Sequence, residues 1–197
     1  MNIKEEELDF LKELINIGMG RGANSLNSLL STHVDLNAPL VRVLNLGEVE
    51  KAMAGNSHGK LASVSIRFRG EAAGDTILAF PQESAAKLVS LLTESGSSEM
   101  DMDSLKEGAL TEIGNIILNG VMGSFANMLK RHLTFTIPSY REGTLKDLLP
   151  GKYSEDGHVI VMVLTNFKVK EHLIEGNIYI LFEIDSLHKM LAHAVNN

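Results

Sequence analysis

The sequence LKELINIGMGRGANSLNSLL at residues 11–30 returns, with changes, as LTEIGNIILNGVMGSFANML at residues 110–129. Each copy carries a glutamate followed three positions later by an asparagine; the two pairs are Glu13 with Asn16 and Glu112 with Asn115. The copies lie 99 positions apart, and the same offset aligns Pro39 with Pro138. Repetition at a fixed offset predicts that the chain consists of two related structural units.

A second repeated segment supports a division into two halves. The sequence GDTILAF, which begins at Gly74, recurs as GNIYILF from Gly176. Between the halves, ESGSSEMDMDS is rich in Ser, Gly and acidic residues and poor in apolar ones, which is typical of a linker. The sequence therefore predicts a single domain over 1–197 made of two repeats, about 1–94 and 104–197, with a linker over 95–103.

The spacing of apolar residues predicts the same series of elements in each half. Helical spacing runs from about 5 to 30 and from 104 to about 130. β-branched and alternating runs such as LASVSIRF and HVIVMVLTNF predict strands, and each half closes on a further helix. The order helix, strand, helix, strand, strand, helix predicts an α/β or α+β fold, in which helices cover a largely antiparallel sheet.

Composition limits the classes of function. The 197 residues, 44% of them hydrophobic, are enough to bury a core, and the absence of cysteine excludes disulfides and thiolate metal sites. The acidic N-terminus MNIKEEELDF and the lack of a run of about 20 apolar residues predict a cytoplasmic protein that does not insert into a membrane. A net charge of -7 argues against nucleic-acid binding, so protein or small-molecule partners remain.

The predicted opening helices each carry a polar stripe. Residues three or four apart on a helix share a face, so Asp9, Glu13 and Asn16 lie in one sector, opposite Leu14 and Ile15. The second helix places Glu112 and Asn115 together in the same way. Because the apolar side must meet the core, both Glu-x-x-Asn pairs are predicted to project into solvent.

Structural explanations compete with a functional one for these residues. A Glu and an Asn on one helix face are usually only solvated, and shared ancestry or burial against the other half also explains a repeated Asn. The asparagine nevertheless asks for a reason, because its side chain competes for backbone hydrogen bonds inside a helix. Gly18, Gly20 and Gly22 follow a helix rather than a strand, so close helix packing explains them better than a phosphate loop does.

The first motif consists of Asp9, Glu13 and Asn16, followed by 22 residues and then Pro39. Its second copy has Glu112, Asn115 and Pro138. Together they resemble the signature of the CheC, CheX and FliY family of chemotaxis phosphatases. The repeated organisation covers nearly the whole chain. Two intact Glu-Asn pairs resemble the CheC branch more than the other two branches. One position departs from the pattern, since Gly108 stands where the family usually has Asp or Ser.

The resemblance implies a function and a partner. It implies hydrolysis of the aspartyl phosphate on a CheY-like receiver in chemotaxis signalling, with Asn16 and Asn115 orienting water, Glu13 and Glu112 engaging a receiver lysine, and Asp9 contacting the partner. The resemblance places the Mg²⁺ ion on the receiver, and this agrees with the lack of metal-ligand spacing and of a cofactor motif in the chain. Gly108 implies a second site that is weaker or docks differently.

Two alternatives to an enzyme stay open. A non-catalytic adaptor that binds a phosphorylated receiver, or that regulates a CheD-like deamidase, is also permitted by the resemblance. A small-molecule sensor is the third hypothesis, for which the sequence offers no positive feature. An adaptor predicts tight binding with no change in phosphate lifetime, whereas an enzyme shortens that lifetime.

Overall fold

The computed structural model describes residues 3–30, 33–53, 59–70, 72–93, 102–128, 130, 132–149, 158–169 and 171–195. Six helices and seven strands lie within these ranges. They are α1 (Glu5–Leu30), β1 (Val34–Leu44), α2 (Leu46–Met53), β2 (Leu61–Gly70), β3 (Gly74–Pro81), α3 (Gln82–Thr93), α4 (Met102–Met128), β4 (Leu133–Phe135), β5 (Ser139–Gly143), α5 (Leu145–Leu148), β6 (His158–Val169), β7 (His172–Glu183) and α6 (Ile184–Val195).

All seven strands belong to one antiparallel sheet. Its order is β1-β6-β7-β3-β2-β4, and β5 also pairs with β2. Strands far apart in the sequence pair in it: β1 with β6, and β4 and β5 with β2. The centre of the sheet is the pair β3 and β7, where the segments GDTILAF and GNIYILF lie side by side. The predicted class, helices on a largely antiparallel sheet, is confirmed.

Each face of the sheet carries an apolar layer. The larger layer lies under α1, α3, α4 and α6, and its fully buried side chains include Ile15, Ile117 and Phe125. The smaller layer lies on the opposite face under the short helices α2 and α5, and it contains Val49 and Leu148. The long helices α1 and α4 are held in place by the apolar side chains that they bury in the larger layer.

The helices lie close to where the sequence predicts them. The helix α1 begins and ends at the predicted residues, and α4 begins two residues earlier than predicted. The predicted linker over 95–103 falls mostly outside the described residues. The order of elements is compatible with two repeats, and the division into two related halves stays a prediction.

The two prolines of the repeat have different positions. Pro138 lies directly before β5, where its fixed φ restricts the backbone of the chain that enters the strand. Pro39 lies within β1, where the pairing with β6 shifts register between Asn37 and Leu40. Proline cannot donate a ladder hydrogen bond, and a bulge in an edge strand is where that loss is tolerated.

Candidate functional site

The long helices α1 and α4 touch at glycines. A side-chain Cβ placed on Gly18 would lie 2.4 Å from the Cα of Val121, and one on Gly22 would lie 3.4 Å from the Cα of Ile117. Gly22 comes after Gly18 on α1, whereas its partner Ile117 comes before Val121 on α4. The two helices therefore run antiparallel. The sequence-based assignment of Gly18 and Gly22 to close helix packing is confirmed.

Gly20 does not share this role. It is exposed, and a Cβ added there would meet no atom within 4 Å. The prediction that it permits helix packing is therefore wrong, because Gly20 lies on the outer side of α1 while its two neighbouring glycines face α4. An exposed glycine inside a helix is destabilising by about 1 kcal/mol relative to alanine, and packing does not explain it.

The polar stripe on α1 faces solvent. Asp9, Glu13 and Asn16 are all exposed, while Leu14 and Ile15 on the opposite side are buried. Asp9 Oδ1 accepts a hydrogen bond from Lys12 Nζ at 2.8 Å, so its carboxylate forms an exposed ion pair. Within the described residues, no hydrogen bond or ion pair engages the side chains of Glu13 and Asn16, so both are available to a partner.

The stripe on α4 differs in two respects. Glu112 is exposed as predicted, but Asn115 is partly buried, and its Oδ1 accepts a hydrogen bond of 2.6 Å from Asn119 Nδ2. Gly108, at the place of Asp9, is exposed with open space around it, so this stripe begins without a carboxylate. The predicted outward direction is confirmed for Glu112 and holds in part for Asn115.

One of the two residues between Glu112 and Asn115 lies directly against the sheet. Gly114 is buried, and a Cβ added to it would lie 2.5 Å from Cβ of Val64 on β2. The helix therefore rests on the sheet at this point, which turns Glu112 and Asn115 away from the sheet. This contact explains why a glycine stands inside the EIGN motif.

A hydrogen-bonded network ties the start of α4 to the sheet. Lys106 Nζ donates to Glu142 Oε1 at 2.7 Å and to Gln82 Oε1 at 2.6 Å, joining α4 to β5 and α3. Tyr140 Oη also donates to Glu142 Oε1. The hydrogen bond from Lys106, followed by that from Tyr140, lowers the pKa of the Glu142 carboxyl below its ordinary value. Burial, and then the bond to Glu142, raises the pKa of Tyr140.

We expect Glu142→Gln to destabilise the chain at neutral pH by about 1 kcal/mol, the scale of a charge-assisted hydrogen bond reduced for a partly exposed position. Because the folded state lowers the pKa of Glu142, the stabilisation is complete above the ordinary carboxyl pKa of 4.5 and is lost as the pH falls through the lower, folded value. Urea denaturation of both forms at pH 7 and pH 3 measures this difference. A gap that is as large at pH 3 as at pH 7 contradicts the assigned ion pair.

The chemistry available at the stripes is that of carboxylates and carboxamides. A carboxylate accepts hydrogen bonds from a cationic side chain, and a carboxamide both accepts and donates, so it can hold a water molecule in a chosen direction. Among the residues that the structure describes, no group of three or more His, Asp or Glu side chains is placed to hold a metal ion. None of the described helices is long and apolar enough to cross a membrane.

Asn119 was not predicted as a site residue, although the sequence contains a signal for it. It lies four residues after Asn115, and side chains at that spacing share a helix face. The corresponding position after Asn16 is Gly20, so the repeat itself offers no second asparagine. Asn119 is therefore not among the residues common to both copies.

The fold and the stripes define a class of protein that presents paired polar side chains on exposed helices. The family model described as chemotaxis phosphatase CheX matches residues 62–162, a span that includes α4 and its pair. Since this is just over half of the chain, the protein belongs to the chemotaxis phosphatase CheX family. The predicted family and the predicted phosphatase class are confirmed.

Individual relatives agree with this assignment. A Bacillus subtilis protein named CheY-P phosphatase CheC is 25% identical over 198 residues, which cover 95% of this chain and 93% of that protein. The crystal structure of Thermotoga maritima FliY matches with a TM-score of 0.78 at 20% identity, covering 100% of this chain and 99% of that one. A chain of the crystal structure of the CheX-CheY-BeF3-Mg²⁺ complex from Borrelia burgdorferi matches with a TM-score of 0.53 at 17% identity, covering 87% of this chain and 99% of that one. At these identities the two structures show a shared fold.

Proposed function

We propose that this chain hydrolyses the aspartyl phosphate of a phosphorylated CheY-like receiver domain in chemotaxis signalling. Asn16 and Asn115 orient the attacking water, and Glu13 and Glu112 contact a lysine beside the receiver's phosphate. The observation that carries the proposal is that each of the crossing helices α1 and α4 bears one Glu-x-x-Asn pair, exposed on α1 and with a partly buried asparagine on α4. Asp9 adds a contact to the partner at the first pair only.

Membership of the chemotaxis phosphatase CheX family supports the reaction, and the relatives support the substrate. The Bacillus subtilis relative is named as a phosphatase of CheY-P, and the Borrelia burgdorferi structure holds a CheX together with CheY, BeF3 and Mg²⁺. The Mg²⁺ ion of our proposal is accordingly part of the receiver substrate. The chain supplies side chains that complete the receiver's own site.

The chemistry requires little from the chain beyond positioning. In the proposed step the water oxygen forms a bond to phosphorus, the bond from phosphorus to the aspartyl oxygen breaks, and the electron pair stays on the regenerated carboxylate. The water protons leave with the inorganic phosphate or pass to solvent. Phosphoryl transfer depends mainly on alignment and electrostatic stabilisation, so a carboxamide that aligns the water contributes without acting as a base.

The glutamates serve recognition in this proposal. Glu13 and Glu112 are exposed carboxylates one helical turn from their asparagines, a distance of about 5 Å along the helix axis. An ammonium group bound by such a carboxylate fixes the receiver's phosphate near the asparagine amide. Charge pairs of this kind set orientation and association rate more than they set affinity.

The test is to phosphorylate candidate receivers with a small-molecule phosphodonor and to follow phosphate release with and without this chain. The proposal predicts faster release at substoichiometric concentrations of the chain, since an enzyme turns over. Binding of the phosphorylated receiver with an unchanged phosphate lifetime would instead identify the adaptor. Regulation by a CheD-like deamidase stays a prediction, and addition of a purified deamidase to the same assay tests it.

A further inference from the structure

The two candidate sites are not equivalent: among the residues that the structure describes, a neighbouring side chain holds the amide of Asn115, and none holds that of Asn16. Asn119 Nδ2 donates to Asn115 Oδ1 at 2.6 Å, and both residues lie on α4, one turn apart. At the corresponding position on α1 stands Gly20, which has no side chain, and Asn16 is exposed. Asn119 is itself exposed and is not needed for the core.

We infer that Asn119 is a positioning residue that fixes the amide of Asn115, so that the second site is preorganised and the first is not. This inference rests on the proposed function, because it assigns a consequence to the direction of the Asn115 amide. The sequence-based expectation from Gly108 is that the second site is weaker or docks differently, and the inference keeps only the difference in docking. Gly108 affects docking, whereas Asn119 acts on the water-orienting group.

The physical reason lies in the freedom of an asparagine side chain. Its terminal torsion has a broad, nearly two-fold energy profile, so a solvated amide rotates and exchanges the directions of its oxygen and nitrogen. The hydrogen bond from Asn119 favours one direction of the Asn115 oxygen. A carbonyl oxygen has two acceptor sites, so the second remains free to accept a hydrogen bond from water. The side-chain amide of Asn16 lacks such a hydrogen bond and must be oriented after the receiver docks. A smaller fraction of receiver complexes is therefore productive at the first site.

Another role for Asn119 has a different kinetic signature. If Asn119 touched the receiver directly, its removal would weaken docking and raise KM with little change in kcat. A positioning residue acts after docking, so its removal lowers kcat and leaves KM nearly unchanged. The two roles are therefore separated by measuring both constants with a phosphorylated receiver as substrate.

The experiment uses the full chain with Asn16→Ala, so that only the second site acts. Adding Asn119→Ala to this parent is expected to lower kcat about fivefold, the factor that one ordinary hydrogen bond represents. KM is expected to change less than about twofold. Asn119→Gln keeps a carboxamide donor at i,i+4 spacing and is expected to recover most of kcat. Circular dichroism checks folding, which alanine at an exposed helix position favours.

The reciprocal variant installs the missing side chain at the first site. In the full chain with Asn115→Ala, Gly20→Asn is expected to raise kcat about fivefold. Space is available, because a Cβ at Gly20 meets no atom within 4 Å. Gly20→Ala is the matched control: it makes the same change in backbone freedom without a donor and is expected to leave kcat unchanged.

Several results would overturn the inference. An unchanged kcat after Asn119→Ala, a change in KM alone, or a loss that Asn119→Gln does not recover each contradicts a positioning role. An inactive Asn16→Ala parent beside an active wild type shows that the second site is not catalytic and ends the inference alone. A wild type that does not shorten phosphate lifetime ends the proposed function, and the inference with it.

Discussion

Replacing both Asn16 and Asn115 by alanine is expected to lower the acceleration of receiver dephosphorylation at least about 100-fold. In our account these amides are the groups that align water with the phosphorus atom, and loss of alignment or of one preorganised polar group typically lowers a rate by that factor. Each single variant retains one complete pair and part of the rate, and Asn115→Ala is expected to lose more of it than Asn16→Ala because the second site is the preorganised one. Phosphate release from a phosphorylated receiver measures all three variants.

The control for this experiment lies on the same helix. Asn24 is an exposed asparagine of α1, two turns beyond Asn16, so Asn24→Ala makes the same chemical change outside the Glu-x-x-Asn pair. It is expected to retain the wild-type rate. The double variant should still bind a receiver that carries beryllofluoride, since both glutamates remain. A double variant that binds and accelerates as wild type does would show that the asparagines are not catalytic.

The second large effect concerns stability, and we expect Gly18→Ala to lower the free energy of unfolding by about 2–3 kcal/mol. The added Cβ would lie 2.4 Å from the Cα of Val121 and 2.9 Å from the oxygen of Gly120, so the backbones of α1 and α4 must separate. Overpacking of this kind typically costs 1–3 kcal/mol, and here it involves backbone atoms that cannot rotate away. Thermal unfolding measures the effect, which corresponds to about 8 °C in a domain of this size.

Gly20→Ala provides the matched comparison, two residues along the same helix. A Cβ at this position meets no atom within 4 Å, so the substitution is expected to stabilise α1 by up to about 1 kcal/mol. The two variants thus have opposite predicted signs for one chemical change. Equal effects at the two positions would mean that the helices do not cross at Gly18.

Residue patterns predict the elements that bear the candidate site because those elements are long and strongly periodic. The apolar spacing of α1 fixes both of its ends, and burial of Leu14 and Ile15 on one side requires Glu13 and Asn16 to project from the other. Short elements are harder to predict. The strand β4 spans only Leu133–Phe135 and owes its existence to pairing with β2, a tertiary contact that no local pattern reveals.

Residue patterns also do not predict how the structures of the two repeated segments differ. Gly18 and Gly20 lie two residues apart in one glycine-rich stretch, so the sequence does not distinguish their roles. Only the crossing of α1 with α4 shows that Gly18 packs between the helices and that Gly20 is exposed. The bond between Asn119 and Asn115 depends on side-chain direction along α4, which the spacing permits but does not require. What the repeat conserves is therefore easier to predict than what distinguishes its copies.

The most direct test of the central claim is the side-chain amide NMR spectrum of asparagine-labelled protein as a Mg²⁺-loaded, beryllofluoride-activated receiver is added. The signals of Asn16 and Asn115 are assigned by their absence in the two single alanine variants. Our account predicts that these two signals shift or broaden, while that of Asn24 on the same helix stays unchanged. Receiver binding that perturbs other asparagines and leaves Asn16 and Asn115 unaffected would contradict it.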